Sequence, residues 1–214
     1  MAFEDNKKRK RFFYFFIALI LIFTGAAITL LRGGDIGRRE SSRQTQQKSM
    51  LQNKTLKIAS IDFPDGGKIP TRFTCDAGKS VPNPEFTIEG VPDGTKTFVM
   101  VMDDADIPQL IKEKIGKPKY NHWVLYNIPG DLRKIASDNI FGTIGKNDAG
   151  GAGYDGPCPP DNLEPYEHRY VFRLYALPEI LNFEKEPTLD EVETVAKEKA
   201  TDVATYTGTY NRRK

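Results

Sequence analysis

The hydrophobic and polar positions divide the 214-residue chain into parts that follow different patterns. Residues 12–31 form an apolar run of twenty residues without a charge, directly after five consecutive cations at positions 7–11. From Leu56 onward, short apolar runs alternate with turn residues. The pattern predicts four segments: a basic tail over 1–11, a transmembrane anchor over 12–31, a flexible linker of Gly, Arg, Ser and Gln over 32–54, and a globular domain over 55–214.

The apolar run is long enough to cross a bilayer. At 1.5 Å per residue, twenty helical residues span about 30 Å, the thickness of the hydrocarbon core. The cations at positions 7–11 resist translocation, which predicts a cytoplasmic N-terminus and a globular domain outside the cytoplasm. Small residues at 24–27 leave a cleaved signal peptide open as a second interpretation. Because the run continues through 28–31, we expect an uncleaved, single-pass protein of the cell membrane.

The globular part predicts strands more often than helices. Apolar runs of strand length, bounded by turn residues, occur at 56–61, 96–102, 122–128, 169–177 and 204–210. Partial alternation in the third run predicts a shared strand face for His122, Val124, Tyr126 and Ile128. Thr188 followed by Glu191 has the spacing of a capping box, which predicts a helix reaching about residue 200. We therefore expect a mainly β domain of two packed sheets with a C-terminal helix.

The net charge of +2 conceals an uneven distribution. Residues 1–50 carry ten Lys and Arg against four Asp and Glu, whereas residues 51–214 carry twenty-one against twenty-five. The globular part is therefore mildly acidic and has no basic stripe interleaved with aromatic residues. Since nucleic-acid binding depends on neutralising phosphates with Lys and Arg, we expect no nucleic-acid partner.

The candidate chemistry gathers around two histidines, which are the only ones in the chain. His168 and Tyr170 are two residues apart on a predicted strand, so their side chains point to the same face. The glycine-rich segment 150–157 lies shortly upstream, and converging backbone N–H groups in such a loop suit an anion. Acidic residues at 103–106 end the strongest predicted strand, where a carboxylate can orient a histidine or keep it protonated.

Four motifs in order closely resemble the phosphatidylethanolamine-binding protein family, in its prokaryotic, Raf-kinase-inhibitor-like branch. They are Met-Asp-Asp-Ala-Asp-Ile-Pro at 102–108, His-Trp-Val-Leu-Tyr-Asn-Ile-Pro at 122–129, Gly-Tyr-Asp-Gly-Pro-Cys-Pro-Pro at 153–160 and His-Arg-Tyr-Val-Phe-Arg-Leu-Tyr-Ala-Leu at 168–177. Residues 73–76 and 207–210 fit as well. The resemblance covers about residues 56–212 and leaves the N-terminal anchor outside it.

The resemblance implies two antiparallel sheets and a small surface pocket for phosphate or phosphorylated head groups. Carried over by motif, the ligand-binding residues are Asp104, Asp106, His122, Gly156, His168 and Tyr170, with Trp123 and Pro157 as pocket walls. The chain departs from the family's usual Asp-Pro-Asp-Ala-Pro by having Ala105 and Ile107, which changes the expected ligand preference more than the site itself. The charged segment 109–119 is expected to form a short helix beside the pocket.

The two cysteines, Cys75 and Cys158, both fall in family-like motifs. In an oxidising exterior they could form a disulfide across a separation of 83 residues. Two other states remain open from sequence: a pair of buried reduced thiols, and a nucleophilic Cys158 with His168 as its base.

The sequence favours a membrane-tethered domain that binds a small anionic ligand. An enzyme acting on a phosphorylated or acyl substrate is the first alternative, although the chain has no established catalytic motif. A kinase or protease inhibitor is the second, with no partner identifiable from sequence. The histidines and aspartates match no standard metal-ligand spacing, so we expect no metal and no cofactor.

Overall fold

A computed structural model describes residues 55–78, 80–137 and 141–213 of the chain. The predicted basic tail, transmembrane anchor and linker lie outside these residues. Within the three described ranges, no helix is both long enough and apolar enough to cross a membrane.

The fold of the described residues is mainly β and consists of two sheets and two short α-helices. The strands are β1 (Lys57–Ser60), β2 (Gly67–Lys68), β3 (Phe86–Glu89), β4 (Thr97–Asp104), β5 (Tyr120–Pro129), β6 (Lys134–Ile135), β7 (Thr143–Ile144), β8 (Glu167–Leu177) and β9 (Asp202–Asn211). The smaller sheet has the order β1-β3-β6 and the larger β2-β9-β8-β4-β5-β7. The pairing is antiparallel except between β2 and β9, whose two-residue contact is parallel. The expectation of two packed sheets is therefore confirmed, with this one parallel edge as a correction.

The core forms two layers on opposite faces of strand β4. Met100 and Met102 face the smaller sheet, where they join a cluster that includes Phe86 and Phe172. The intervening valines of β4 face the other way and pack beneath helix α2 (Leu189–Lys199). Every residue of β4 is buried, as the near-continuous apolar run at 96–102 indicated.

Both predicted helices are present. Helix α1 (Gln109–Ile115) lies in the charged segment after β4 and buries none of its residues. Helix α2 begins after Thr188, whose hydroxyl accepts a hydrogen bond from the Glu191 backbone N–H, while the Glu191 carboxylate accepts one from the Thr188 N–H. This reciprocal pair is the predicted capping box, and it satisfies two backbone donors at the start of the helix.

A β-bulge in β5 changes the predicted face of His122. Met102 pairs with Trp123 and Asp103 pairs with Asn121, which leaves His122 as the extra residue between two pairs. Val124 packs on the α2 side, whereas the His122 ring lies 5.2 Å from the ring of Tyr170 on the other side. The predicted shared face was therefore wrong, because simple alternation does not hold across a bulge.

Strand pairing brings three chain segments to one edge of the larger sheet. Asp104, at the end of β4, lies opposite Tyr120 near the start of β5 and opposite Tyr170 near the start of β8. These residues are up to 66 positions apart along the chain but are adjacent across the strands. The candidate site is built at this edge.

Candidate functional site

A cavity of about 250 Å³ opens at this edge of the sheet. Four of the six residues predicted to bind a ligand line it: Asp104, His122, His168 and Tyr170. Eight further lining residues were not predicted: Ile107, Pro108, Ile111, Tyr120, Asp155, Cys158, Pro159 and Pro160. The polar residues thus lie together at the sheet edge, and apolar residues from α1 and the 155–160 loop complete the wall.

His168 and Asp104 form a buried pair at the back of the cavity. The Nδ1 atom of His168 lies 2.6 Å from Asp104 Oδ2, and its Nε2 atom lies 3.0 Å from the carbonyl oxygen of Pro165. Because both neighbours are oxygen acceptors, each ring nitrogen must carry a proton for both contacts to be hydrogen bonds. Both nitrogens are then occupied within the protein, so His168 shapes the site through Asp104 and offers no free N–H to a ligand.

Asp104 is held on both of its carboxylate oxygens. While Oδ2 faces His168, Oδ1 accepts a hydrogen bond of 2.8 Å from the backbone N–H of Asp106. This local bond closes the turn that follows β4. Asp104 is therefore a fixed, buried charge whose orientation is set from two directions.

His122 is oriented by the backbone of Asp155. Its Nδ1 atom lies 2.9 Å from the Asp155 carbonyl oxygen, and the Asp155 N–H donates to the His122 carbonyl at 2.9 Å. Burial lowers the pKa of His122, and the Asp104 carboxylate opposes that effect. The other ring nitrogen, Nε2, has no hydrogen-bond partner among the described residues. His122 therefore presents one uncommitted nitrogen at a cavity wall.

Tyr170 is fully buried, and its hydroxyl has no hydrogen-bond partner in the described part of the chain. Burial, followed by the charge of Asp104, raises the pKa of Tyr170 well above its ordinary value, so the hydroxyl keeps its proton. The backbone amide of Cys158 faces this hydroxyl and acts in the opposite direction on the pKa, without reaching hydrogen-bond geometry. A buried hydroxyl left without a partner is costly, so its position at the cavity indicates a place for a ligand atom.

Tyr120 and Asp155 form a second polar pair on the wall. The Tyr120 hydroxyl donates to Asp155 Oδ2 at 3.1 Å, and its ring centre lies 4.7 Å from that of His122. Burial, followed by the Asp155 charge, raises the pKa of Tyr120. Sequence reasoning missed both residues, although Tyr120 precedes His122 by two positions and Asp155 lies in the glycine-rich segment that was singled out. The pair adds a carboxylate to the wall, facing the same cavity as His122.

Asp106 was predicted as a ligand-binding residue, but it does not line the cavity. Its two carboxylate oxygens each accept a 2.7 Å hydrogen bond from the guanidinium of Arg169, and Oδ2 also accepts one from the Arg169 backbone N–H at 3.0 Å. The Arg169 side chain holds the pKa of Asp106 below its ordinary value, although burial opposes this. Asp106 therefore connects the turn after β4 to the start of β8 outside the cavity.

Gly156, Trp123 and Pro157 were also predicted at the site, and they lie behind its wall. A Cβ atom on Gly156 would come within 2.6 Å of the Phe73 carbonyl oxygen, so this glycine allows two backbone segments to approach closely. Trp123 is fully buried with its ring edge-to-face with Tyr154. The Pro157 carbonyl accepts a 3.2 Å hydrogen bond from the Cys75 N–H. These residues position the wall without facing the cavity.

Cys75 and Cys158 form a disulfide in the structure, and no cysteine is free. The bond joins the turn at 75–77 to the 155–160 loop, and Cys158 itself lines the cavity. Of the three states that the sequence left open, the bonded state is the one the structure contains. A thiolate nucleophile at Cys158 is not available in this state.

Five apolar residues also line the cavity: Ile107, Pro108, Ile111, Pro159 and Pro160. Leu110 of α1, next to Ile111 in sequence, is 62% exposed. Across the described ranges, no group of three or more His, Cys, Asp or Glu side chains is arranged to hold a metal ion. The cavity lining thus combines polar and apolar side chains.

The chain resembles curated proteins of archaea and bacteria. It is 38% identical over 143 residues to a UPF0098 protein of Methanothermobacter thermautotrophicus, an alignment covering 61% of this chain and 85% of the relative. It is 41% identical over 128 residues to a UPF0098 protein of Aquifex aeolicus, covering 57% of this chain and 68% of the relative.

Solved structures share the fold. A crystal structure of a phosphatidylethanolamine-binding protein homologue, CT736 of Chlamydia trachomatis, matches with a TM-score of 0.65 at 29% identity, covering 75% of this chain and all of that one. Escherichia coli YbcL matches with a TM-score of 0.63 at 24% identity, covering 74% and 99%. The family profile described as phosphatidylethanolamine-binding protein matches residues 59–211. The chain therefore belongs to the phosphatidylethanolamine-binding protein family.

Proposed function

We propose that this protein is a membrane-tethered binding protein whose cavity, outside the cytoplasm, holds the phosphate group of a small ligand or lipid head group. The observation that carries the proposal is a pair of polar atoms without a protein partner among the described residues, the Tyr170 hydroxyl and His122 Nε2, on two residues that line one cavity. Buried polar groups in folded proteins are satisfied as a rule. A phosphate group has enough oxygen atoms to form a hydrogen bond with each of these two atoms.

The cavity's size and lining favour a phosphate ester over a large ligand. Its volume of about 250 Å³ lies below the ~300–1,000 Å³ of typical drug-sized sites. The five apolar lining residues suit a ligand whose remaining part is not fully polar. The carboxylate of Asp155 on the wall favours ligands that carry an amino group near the phosphate, as an ethanolamine head group does.

Calorimetric titration of the full-length protein tests this binding. We expect phosphoethanolamine to bind and ethanolamine, which lacks the phosphate, to give no measurable heat. His122→Ala is expected to weaken phosphoethanolamine binding about tenfold, because one hydrogen bond to a charged group is lost. Binding that is equal for both compounds, or unchanged in the variant, would remove the basis of the proposal.

The proposal of a membrane tether is based on the apolar run at 12–31 and the cations at 7–11. We expect the full-length protein to remain in the membrane fraction after high-salt and alkaline washes and to keep its N-terminal residues. An intact mass showing loss of residues up to about 26 would replace the anchor with a signal peptide.

We propose binding without turnover. Cys158 is in a disulfide and both nitrogens of His168 contact protein oxygens, so neither the candidate nucleophile nor its candidate base is available. No feature of the described residues favours a kinase or protease partner. A screen with phosphate monoesters and acyl esters tests this, and turnover that disappears in His122→Ala would establish an enzyme instead.

A further inference from the structure

The hydrogen bond at Nδ1 fixes what His122 can offer a ligand. The Asp155 carbonyl oxygen has only lone pairs, so the Nδ1 atom 2.9 Å away must carry the proton. In a neutral imidazole the other nitrogen, Nε2, then has a lone pair and no hydrogen. His122 therefore faces the cavity as a hydrogen-bond acceptor as long as its ring stays neutral.

The groups around His122 determine whether its ring is neutral. Burial lowers its pKa, whereas the carboxylates of Asp104, Asp155 and Asp103 act in the opposite direction, and the net shift is downward. Tyr120 and Tyr170, whose rings contact it, keep their protons because their own pKa values are raised. His168, whose ring stacks with that of Tyr170, is already hydrogen-bonded to Asp104 and to the Pro165 carbonyl, so it offers the cavity no N–H.

The remaining side chains give the cavity one donor and two acceptors. Tyr170 can donate its hydroxyl proton, while His122 Nε2 and the Asp155 carboxylate both present lone pairs. An oxyanion without a proton has only lone pairs, so it can form no hydrogen bond with either acceptor and is repelled by both. An oxyanion with an acidic proton can accept from Tyr170 and donate to His122 at the same time.

We propose, building on the proposed phosphate binding, that the cavity selects oxyanions that carry their own hydrogen. The preferred species is the monoanion of a phosphate monoester, whose P–OH group donates to His122 Nε2 while another oxygen accepts from Tyr170. Sulfate esters have the same shape and charge but no such hydrogen, and the cavity discriminates against them. His122 is the residue that determines this specificity.

Methyl phosphate and methyl sulfate are the probes that isolate this hydrogen. Near pH 5.5 methyl phosphate is mainly a monoanion, since the second pKa of a phosphate monoester is about 6. Methyl sulfate is a monoanion of nearly the same shape. Titrated into the full-length protein, methyl phosphate is expected to bind about tenfold or more tightly, the worth of one hydrogen bond involving a charged group.

The pH dependence provides a test that needs no variant. Affinity for methyl phosphate is expected to fall as the pH rises from about 5.5 to 8, because the ligand loses its hydrogen through its second pKa. Methyl sulfate has no proton to lose and stays weak over this range. A methyl sulfate affinity equal to that of methyl phosphate would mean that a protonated His122 donates, which overturns the inference and leaves phosphate binding intact. Failure of both probes to bind would instead overturn the proposed function.

Two variants assign the preference to a residue. His122→Gln places an amide that can donate to either probe, so the ratio of the two affinities should approach one. Tyr170→Phe is the matched control: it removes a donor used by both probes, so both should weaken while the ratio persists. If His122→Gln still binds methyl phosphate and keeps the same preference for it over methyl sulfate, the acceptor is another group. That result would contradict the assignment to His122.

Discussion

Asp103 and Asp104 are neighbours in sequence and both are buried, yet they belong to two different regions. Asp103 faces α2 and accepts hydrogen bonds from Lys119 at 2.9 Å and Arg173 at 2.5 Å. Asp104 faces the cavity and has His168 as its only ionisable hydrogen-bond partner within the described residues. Alternation along β4 separates the two carboxylates onto opposite faces of one sheet.

The α2 side carries a network of paired charges. Glu193 of α2 accepts hydrogen bonds from Lys119 and from the Tyr175 hydroxyl, and it also pairs with Lys197. Burial lowers the pKa of Lys119, but its hydrogen bonds to Glu193 and Asp103 outweigh that effect and the net shift is upward. The cavity side, in contrast, leaves the Tyr170 hydroxyl unused. Buried charge is present on both sides, and two other buried atoms, Asn121 Oδ1 on the α2 side and Trp123 Nε1, also lack a partner among the described residues. What distinguishes Tyr170 is that it combines an unpartnered hydroxyl with a place in the cavity lining.

Removing the disulfide, which lies on the cavity side, should have the largest effect on the free energy of unfolding. Closing a separation of 83 residues lowers the entropy of the unfolded chain, worth about 4–5 kcal/mol at most. We expect Cys75→Ala with Cys158→Ala to lower the free energy of unfolding by up to this amount, measured by denaturant titration. Phosphoethanolamine affinity should fall as well, because Cys158 lines the cavity. An unchanged midpoint would contradict the cross-link.

Exchanging each aspartate for asparagine sharpens the comparison. Asp103→Asn removes a carboxylate partner from two cationic side chains, Lys119 and Arg173. We expect a loss of about 3 kcal/mol, at the lower end for a broken buried pair because Lys119 and Arg173 side chains are 21% and 27% exposed. Ligand affinity should not change.

Asp104→Asn should cost less, about 1 kcal/mol, because an asparagine side chain can still hydrogen-bond to the His168 ring. The asparagine amide can then donate to Nδ1, while Nε2–H continues to donate to the Pro165 carbonyl. Denaturant titration of both variants under the same conditions measures the difference. Equal losses of unfolding free energy in Asp103→Asn and Asp104→Asn would show that the two carboxylates contribute equally to stability.

Two tyrosines on opposite faces of β8 provide a matched pair. The Tyr175 hydroxyl donates to Glu193 at 3.1 Å, so Tyr175→Phe should cost about 1 kcal/mol of stability and leave binding unchanged. The Tyr170 hydroxyl has no partner among the residues described, so Tyr170→Phe should leave stability within about 0.5 kcal/mol and weaken phosphoethanolamine binding several-fold. Thermal unfolding and calorimetry measure the two effects. A lower stability of Tyr170→Phe than of Tyr175→Phe would contradict the view that only the Tyr175 hydroxyl is used within the fold.

The smallest effect concerns pH. The pKa of His122 is lowered in the folded protein by burial, so the unfolded chain binds its proton more readily. This contribution to stability is complete above the unfolded pKa of about 6.5 and is lost as the pH falls below it, by no more than about 1.4 kcal/mol per pH unit for one proton. His122→Gln should show a shallower loss between pH 7 and 5. Parallel curves for the two proteins would exclude this contribution.

The sequence predicted those parts of the site that depend on regular alternation. His168 and Tyr170 share a face of β8 as expected, and the capping box of α2 followed from Thr188 and Glu191 alone. The bulge at His122 has no sequence signature, because it arises from how β5 pairs with β4.

The predicted site residues that lie outside the cavity lining are placed there by contacts between distant segments. Asp106 was grouped with Asp104 by motif, but its position opposite Arg169 is set by the approach of β8. Gly156 was predicted to bind through its amide, whereas its close packing against the Phe73 carbonyl could be seen only once the loop was placed. Short-range patterns therefore identified the elements, and pairing across the sheet decided which side chains reach the cavity.

The pairing of β4 with β8 also has a consequence for how the protein folds. Asp104 and His168 are 64 residues apart, and the register of these two central strands holds them together. Contacts of such long range form only after a large loop has closed, which slows folding and makes the cavity a late product of it. A partly folded chain then has no binding site, and a ligand that binds only the finished sheet raises the melting temperature in proportion to the logarithm of its concentration above the Kd.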